Sequence, residues 1–412
     1  MNEDSILVKK HIIAPQACTG CGLCANVCKH GAIEMVLNHD GFLQPKVNSS
    51  ICVNCGLCVK QCIALERNDK ELGNKELTVD AYGAWNRDDD ILLSSSSGGI
   101  FSALAHRVIE QGGIVFGVIW KDKLTASFSS ADKIEDLAKM RGSKYVQALP
   151  LYVYRAVRRE LLAGRLVLFS GTPCQVYALK KYLRKPYGNL LTIDIVCHGV
   201  PSHLLLKSYI FSKESMMGKQ IGYVSFRDKP EGWQRYHVTC HYHDGALTSS
   251  AQQEDEYMNI FLSDKALNLA CYNCSYASFP RQGDITVADY WGSEKHHYDW
   301  PVDKGISAVI VNSAKGKAVL DLCTTIVDFR PEDIKKIIEG QSAGFIRKNV
   351  LVPTERSKVL QLLRTRSLKY VHDWTCKRGK IGPFRLRYGS LLFKVLRFLQ
   401  RGKSWLRNRV LS

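Results

Sequence analysis

"RLVLFSGTPCQVYALKKYL", residues 165–183, passes from an apolar run through a short loop into a helix-like pattern, with Cys174 where the helix begins. "NLLTIDIVCHGVPSHLLLKSYI", 189–210, repeats the plan, with Cys197 just past its apolar run. "SSSSGGIFSALAHRVIEQGG", 94–113, opens a helix from a Ser/Gly loop and leads into a strand, "IVFGVIW", 114–120. Such alternation predicts an α/β core. If the runs ending near Ser170 and Val196 are parallel neighbours, about 4.8 Å apart, Cys174 and Cys197 emerge side by side at the carboxyl edge of the sheet. α/β proteins place cofactors at that edge.

Three roles are open to Cys174. It could be a nucleophile whose thiolate a helix N-terminus stabilises, a buried small apolar residue, or a ligand. A further pair, Cys271 and Cys274 in "ACYNCSYASFPR", has ligand spacing. With Cys174 and Cys197 it makes four thiols, enough for one iron–sulfur cluster. A zinc site on the same four and unrelated structural cysteines are the alternatives.

Upstream stand two copies of one pattern, "CTGCGLCANVC" (18–28) and "CVNCGLCVKQC" (52–62). C-x2-C-x2-C-x3-C is the ligand spacing of a bacterial two-cluster ferredoxin, in which the fourth cysteine of each run serves the other cluster. The expected sets are therefore Cys18, Cys21, Cys24 and Cys62, and Cys52, Cys55, Cys58 and Cys28. Zinc knuckles also use C-x2-C pairs, but separated by long loops rather than in close-packed fours. Lys29 and Ile63 stand where the ferredoxin pattern usually has Pro, which removes no ligand.

The chain has 412 residues, enough for two or three domains, and 15 cysteines. No secretory signal and no apolar run of about 18 residues is visible. Unexported, thiol-rich chains suit a reducing compartment, so the expected location is the cytoplasm. Of the +18 formal charge, eleven Lys and Arg lie between Lys377 and Arg409, leaving +7 on residues 1–376. No basic patch interleaved with aromatics occurs outside that tail, so no nucleic-acid partner is expected. Within the tail, "GSLLFKVLRFLQR", 389–401, sets Lys394, Arg397 and Arg401 at helical spacing among leucines. This basic amphipathic stretch suits an anionic surface at the inner face of the membrane or an acidic partner, unless it packs on the body. The expected boundaries are 1–65 for the cysteine repeats, 66–76 for a polar linker, 77–349 for the second domain and 350–412 for the tail.

Taken in order, "SSSSGGIFSAL", "RGSKYVQ", "SGTPCQ", "CHGVPS", "FRDK", "CYNC" and "DITVADYWG" resemble the beta subunit of coenzyme F420 hydrogenase/dehydrogenase, in the version fused to a two-cluster ferredoxin. The resemblance spans residues 15–345. Ala288 and Tyr290 depart from it, where that family commonly has Gly and Phe. It implies an α+β ferredoxin-like two-cluster domain followed by an α/β flavin and iron–sulfur domain with a mixed sheet. It implies an oxidoreductase in which FAD passes electrons between a hydride carrier, coenzyme F420 or another, and a one-electron partner protein. It also implies a third four-iron cluster on Cys174, Cys197, Cys271 and Cys274.

Flavin contacts are then expected from Ser97, Gly98 and Gly99, whose loop is otherwise a plain helix cap. They are also expected from Arg141, Gly142, Ser143, Lys144, Tyr145 and Gln147, otherwise a solvated basic turn. Positive charge near N1 stabilises a reduced flavin anion. No G-x-G-x-x-G fingerprint follows the first strand of the second domain, and no general acid or base is assigned. His237, His241 and His243 share one face of an expected strand, which admits a metal site but reads first as an exposed hairpin face. Cys240, Cys323 and Cys376 read as structural. An electron-transfer adaptor with clusters and no flavin chemistry is the alternative.

Overall fold

The computed structural model describes residues 17–65, 79–340 and 348–377. The expected linker and the amphipathic stretch 389–401 lie outside them.

Each cysteine repeat holds two left-handed residues, Gly20 and Gly22 in the first and Asn54 and Gly56 in the second, with φ of 70°, 73°, 55° and 69°. Glycine enters this region without a Cβ clash, and Asn tolerates it better than most side chains. The paired turns curl the chain between successive cysteines and release it into short helices, Leu23–Val27 and Leu57–Lys60. Between the repeats, strands β1 (Ile33–Leu37) and β2 (Leu43–Val47) form an antiparallel hairpin.

The larger sheet draws on β3 (Asp80–Asn86), β4 (Ile114–Asp122), β5 (Thr125–Ala131), β6 (Val167–Gly171) and β7 (Leu190–Ile195). After β8 (Ile221–Asp228), β9 (His237–Tyr242), β10 (Leu247–Ala251) and the two-residue β11 (Asn273–Cys274), it continues with β12 (Ile285–Asp289), β13 (Ser307–Val311) and β14 (Val327–Pro331). The last strand, β15 (Lys348–Asn349), pairs with β11. The eight strands of the larger sheet run in the order β14-β3-β13-β12-β7-β6-β4-β5. The inner four, β12-β7-β6-β4, are parallel, and the outer strands on both sides are antiparallel, so the sheet is mixed.

Period-two alternation divides the inner strands between two apolar layers. Val167 and Phe169, Ile114 and Phe116, and Leu190 face one core. Leu168, Val115, Leu191 and Ile193 face the other, under the helices Ile100–Glu110 and Ala314–Asp321. At the end of β6, Pro173 sits in the first turn of the helix Pro173–Leu183, and Thr172 and Gln175 form a reciprocal capping box. That start is fixed by local chemistry, because each side chain satisfies an otherwise orphaned backbone N–H of the first turn.

A second, antiparallel sheet, β10-β9-β8, packs on the helix His203–Met217 through Val224, Phe226, Val238 and Tyr209. The cysteine repeats share a core with this body: Leu23, Ala25, Val27, Phe42 and Ile63 belong to the same buried cluster as Val146, Tyr154 and Leu205. Polar contacts reinforce it. The Asn26 side chain donates to Leu151 O (3.0 Å) and accepts from Tyr154 N (3.2 Å), and the Arg155 guanidinium donates to Asn26 O and Cys28 O.

Residues 356–377, grouped above with the tail on their charge, fold against the body. The helices Arg356–Thr365 and Leu368–Lys377 bury Val359, Leu360, Leu362, Leu363, Leu368 and Val371 beside the helices Glu256–Leu262 and His203–Met217. Their basic residues obscure an apolar face at helical spacing.

Candidate functional site: three cysteine groups and a basic cavity

Cys18, Cys21 and Cys24 lie near one another and near Cys62. Burial pushes all three thiols up, Cys21 to about 12, and the neighbouring cysteines add to the push. Cys58 is pushed up to about 11, by burial first and then by Cys28 and Cys55. Cys52 lines one shallow pocket with Cys28, Cys55 and Cys58. Thus the last cysteine of each repeat sits with the first three of the other.

The third group gathers from three separate segments: Cys174 after β6, Cys197 after β7, and the Cys271/Cys274 pair. β6 and β7 pair in register Gly171↔Asp194, so Cys174 and Cys197 leave adjacent strand ends. Thr172 Oγ1 lies 3.2 Å from Cys174 Sγ. Burial raises the Cys174 thiol well above its ordinary value, with Cys274, Cys197 and Cys21 adding to the rise. Cys271 approaches the segment after Cys197, since a Cβ placed on Gly199 would stand 3.4 Å from the Cys271 Cβ. Tyr154 separates this group from the first repeat: it is fully buried, feels Cys21, Cys174 and Cys24, and donates from its hydroxyl to Cys21 O at 2.8 Å.

Among the described residues no three His, Cys, Asp or Glu side chains close around a single metal ion. Each group offers thiols alone, and several packed thiols resist joint ionisation without a compensating positive centre. All-thiolate sets of this kind suit iron–sulfur cubes.

A cavity of about 800 Å³ opens between the β4–β5 hairpin, β8 and residues 138–144. Trp120, Tyr223, Lys121, Lys123, Lys139, Arg141, Gly142, Ser143, Lys144 and Arg227 line it, with Ser94 and Ser96. Ser97, Gly98 and Gly99 turn the other way. Ser97 Oγ donates to Ile306 O, Gly98 N donates to Ser307 Oγ, and a Cβ on Gly98 would fall 2.2 Å from Ala84 O. The glycine is needed for that approach to the sheet. Gln147 also points away: it accepts from Leu43 N (2.7 Å) and donates to Thr19 O (2.9 Å), latching the cysteine repeats to the body.

Arg227 organises the cavity floor and was not singled out by sequence reasoning. Its guanidinium makes two contacts with Asp289 (2.8 and 3.1 Å), donates to Tyr145 Oη and Ser96 O, and stacks over Tyr236 at 4.2 Å. The signal was present in two quoted motifs, since Arg227 belongs to "FRDK" and Asp289 to "DITVADYWG". From Tyr145 an aromatic series runs on to Phe261 (5.2 Å between ring centres) and His198 (5.1 Å), next in sequence to Cys197.

Residues 81–153 match the family model described as coenzyme F420 hydrogenase/dehydrogenase, beta subunit N-term, and residues 164–335 match its C-terminus counterpart. The chain belongs to this family of F420 hydrogenase/dehydrogenase beta subunits. Residues 17–64 match a 4Fe-4S dicluster domain, so the N-terminal unit is of ferredoxin type. Coenzyme F420-dependent sulfite reductase of Methanocaldococcus jannaschii is 38% identical over 202 residues, 48% of this chain and 30% of that protein. A subunit of the F420H2 dehydrogenase of Methanosarcina mazei is 24% identical over 183 residues, 41% of this chain and 49% of that one. The aligned part therefore spans less than half of either relative. A chain of the F420-reducing [NiFe] hydrogenase complex from Methanosarcina barkeri superposes with a TM-score of 0.44 at 18% identity, covering 74% of this chain and 93% of that one.

In this family member two half-buried lysines are held by carbonyls. Lys144 Nζ donates to the carbonyls of Met140, Arg141 and Gly142, and Lys229 Nζ to those of Leu92, Ser97 and Lys304. Burial pushes each ammonium down to about 7. In the unfolded chain a lysine titrates near about 10.4. Between those values the folded chain binds fewer protons than the unfolded one, so stability rises with pH above about 7. The urea midpoint should accordingly rise from about pH 6.5 to about pH 8.5, and Lys144→Met and Lys229→Met should each flatten that rise.

His237 bonds Ser249 and Glu231, His241 stacks on Tyr223 at 4.1 Å, and His243 lies in the cavity wall, so the three do not converge. His237 and His241 are half-buried rather than exposed, because the β8–β9 and β9–β10 ladders pack around them. Cys240 and Cys323 are buried, and Cys376 is exposed. No described helix is long and apolar enough to cross a membrane.

Proposed function

We propose that this chain is an iron–sulfur flavoprotein oxidoreductase that passes electrons between a hydride carrier, deazaflavin F420 or a related reductant, and a one-electron partner protein. The observation that carries the reading is contiguity. A basic cavity leads through Tyr145, Phe261 and His198 to the third cysteine group, which meets the first repeat across Tyr154. The proposed ligand sets are Cys18, Cys21, Cys24 and Cys62; Cys28, Cys52, Cys55 and Cys58; and Cys174, Cys197, Cys271 and Cys274. FAD bound in the cavity would convert hydride exchange into single-electron steps.

The chain's own residues supply the rest. Arg141 and Lys121 offer the cavity the positive charge that phosphates and a reduced flavin favour, while Lys139 and Lys123 are held by Asp136 and Glu214 at 2.7 Å each. Ser96, held by Ser143 and Arg227, fixes one wall.

The inward turn of Ser97–Gly99 favours a second reading, the adaptor that carries clusters and no flavin. Anaerobic purification with iron, sulfide, zinc and flavin assays decides. The expected content is about twelve irons, as three clusters of four, and about one FAD per chain. About eight irons without flavin would support the adaptor. Zinc without sulfide would overturn both.

A further inference from the structure

We propose that the surface around Ile51–Cys55 is the docking face for a small acidic one-electron carrier protein. The inference rests on the function proposed above and extends it to a partner.

The three cysteine groups differ in depth. The first repeat's group is closed by Tyr154 and the body. Among the twelve proposed ligands only Cys55 is exposed. It sits in a loop where Ile51 and Val53 are 46% and 58% exposed, flanking Cys52. These two large apolar side chains give the exposed ligand loop a small apolar centre.

Charge selects the occupant. Lys29, His30 and Lys60 are exposed, His30 lines one pocket with Cys52, Val53 and Cys55, Lys29 directly precedes it, and Lys60 closes the short helix that follows the loop. Between residues 17 and 65 the only acidic residues are Glu34 and Asp40. Asp40 is engaged by Arg364 (3.3 Å) and Arg356 (3.8 Å), and Glu34 lies opposite Lys46 in the hairpin register. Within residues 17–65 the exposed charge around the loop is therefore mainly positive. A second copy would present the same positive rim to itself, as a two-fold contact requires. The basic segment 377–409 is also repelled. An acidic carrier is attracted, and a small apolar centre ringed by charge gives the fast, short-lived contact that electron exchange needs.

The test titrates the anaerobically purified full chain with a small acidic two-cluster ferredoxin by calorimetry, at low and high salt. Val53→Glu, and Lys29→Glu with Lys60→Glu, should each weaken binding about tenfold or more while iron content stays at the wild-type value. Raising the salt should weaken wild-type binding as well. Binding unchanged in both variants, or lost only when residues 378–412 are removed, overturns the proposal. A self-associating wild type that Val53→Glu makes monomeric also overturns it, in favour of a second copy. Iron-free wild-type protein, by contrast, overturns the function on which the docking face depends.

Discussion

Replacing Cys174 by Ser should remove about four of about twelve irons and leave the two clusters of the N-terminal repeats in place. A hydroxyl is a far poorer ligand for iron than a thiolate, and Cys174 stands at the junction of its group. It leaves β6 beside the end of β7 and feels Cys197 and Cys274 from two other segments. The substitution is also mild for the fold, since Ser is small and Thr172 Oγ1 already lies beside the sulfur at 3.2 Å. Iron and sulfide assays with Mössbauer or EPR spectra check it. Unchanged iron with lost activity would return Cys174 to the role of nucleophile. Loss of all iron would mean that the groups do not assemble independently.

Arg281→Met should cost about 3–5 kcal/mol of stability, the usual consequence of stranding one partner of a buried ion pair. Both Arg281 and Asp194 have 0% side-chain exposure, at 3.2 Å. Asp194 also accepts from Gln282 N and Thr286 Oγ1, and Arg281 donates to Ile195 O. The pair braces the last turn of β7 from which Cys197 departs, so iron should fall by the third cluster's share as well. Urea titration with iron analysis measures both. A loss under about 1 kcal/mol would show that the carboxylate finds other partners. Arg281→Lys, which keeps the charge, should fall between the two.

Much of this architecture was legible because the decisive signals are local. The repeats carry their own turn chemistry at Gly20, Gly22, Asn54 and Gly56, and the strand–loop–helix units announce themselves by apolar runs and by Pro173. Adjacency of the strands leading to Cys174 and Cys197 was the condition of that reading, and the β6–β7 register meets it. What escaped depends on distant backbone. The close approach of Gly98 to Ala84 O brings together residues 14 apart in sequence, and Gln147 reaches Thr19 across 128. Arg227 looked like an ordinary charged strand residue, and only the fold shows that Asp289 meets it. The helices at 356–377 were hidden for the opposite reason: their basic composition masks an apolar face at helical spacing.

The shared core around Leu23, Val27 and Tyr154 gives the chain a property that modular drawings of it miss. A cut at residue 65 would follow the covalent boundary and cross the folding one, leaving Tyr154, Arg155 and Gln147 facing solvent with their partners gone. Grafting a foreign ferredoxin onto this body would therefore demand a matching socket as well as a splice. The two halves are expected to change together, if they change at all.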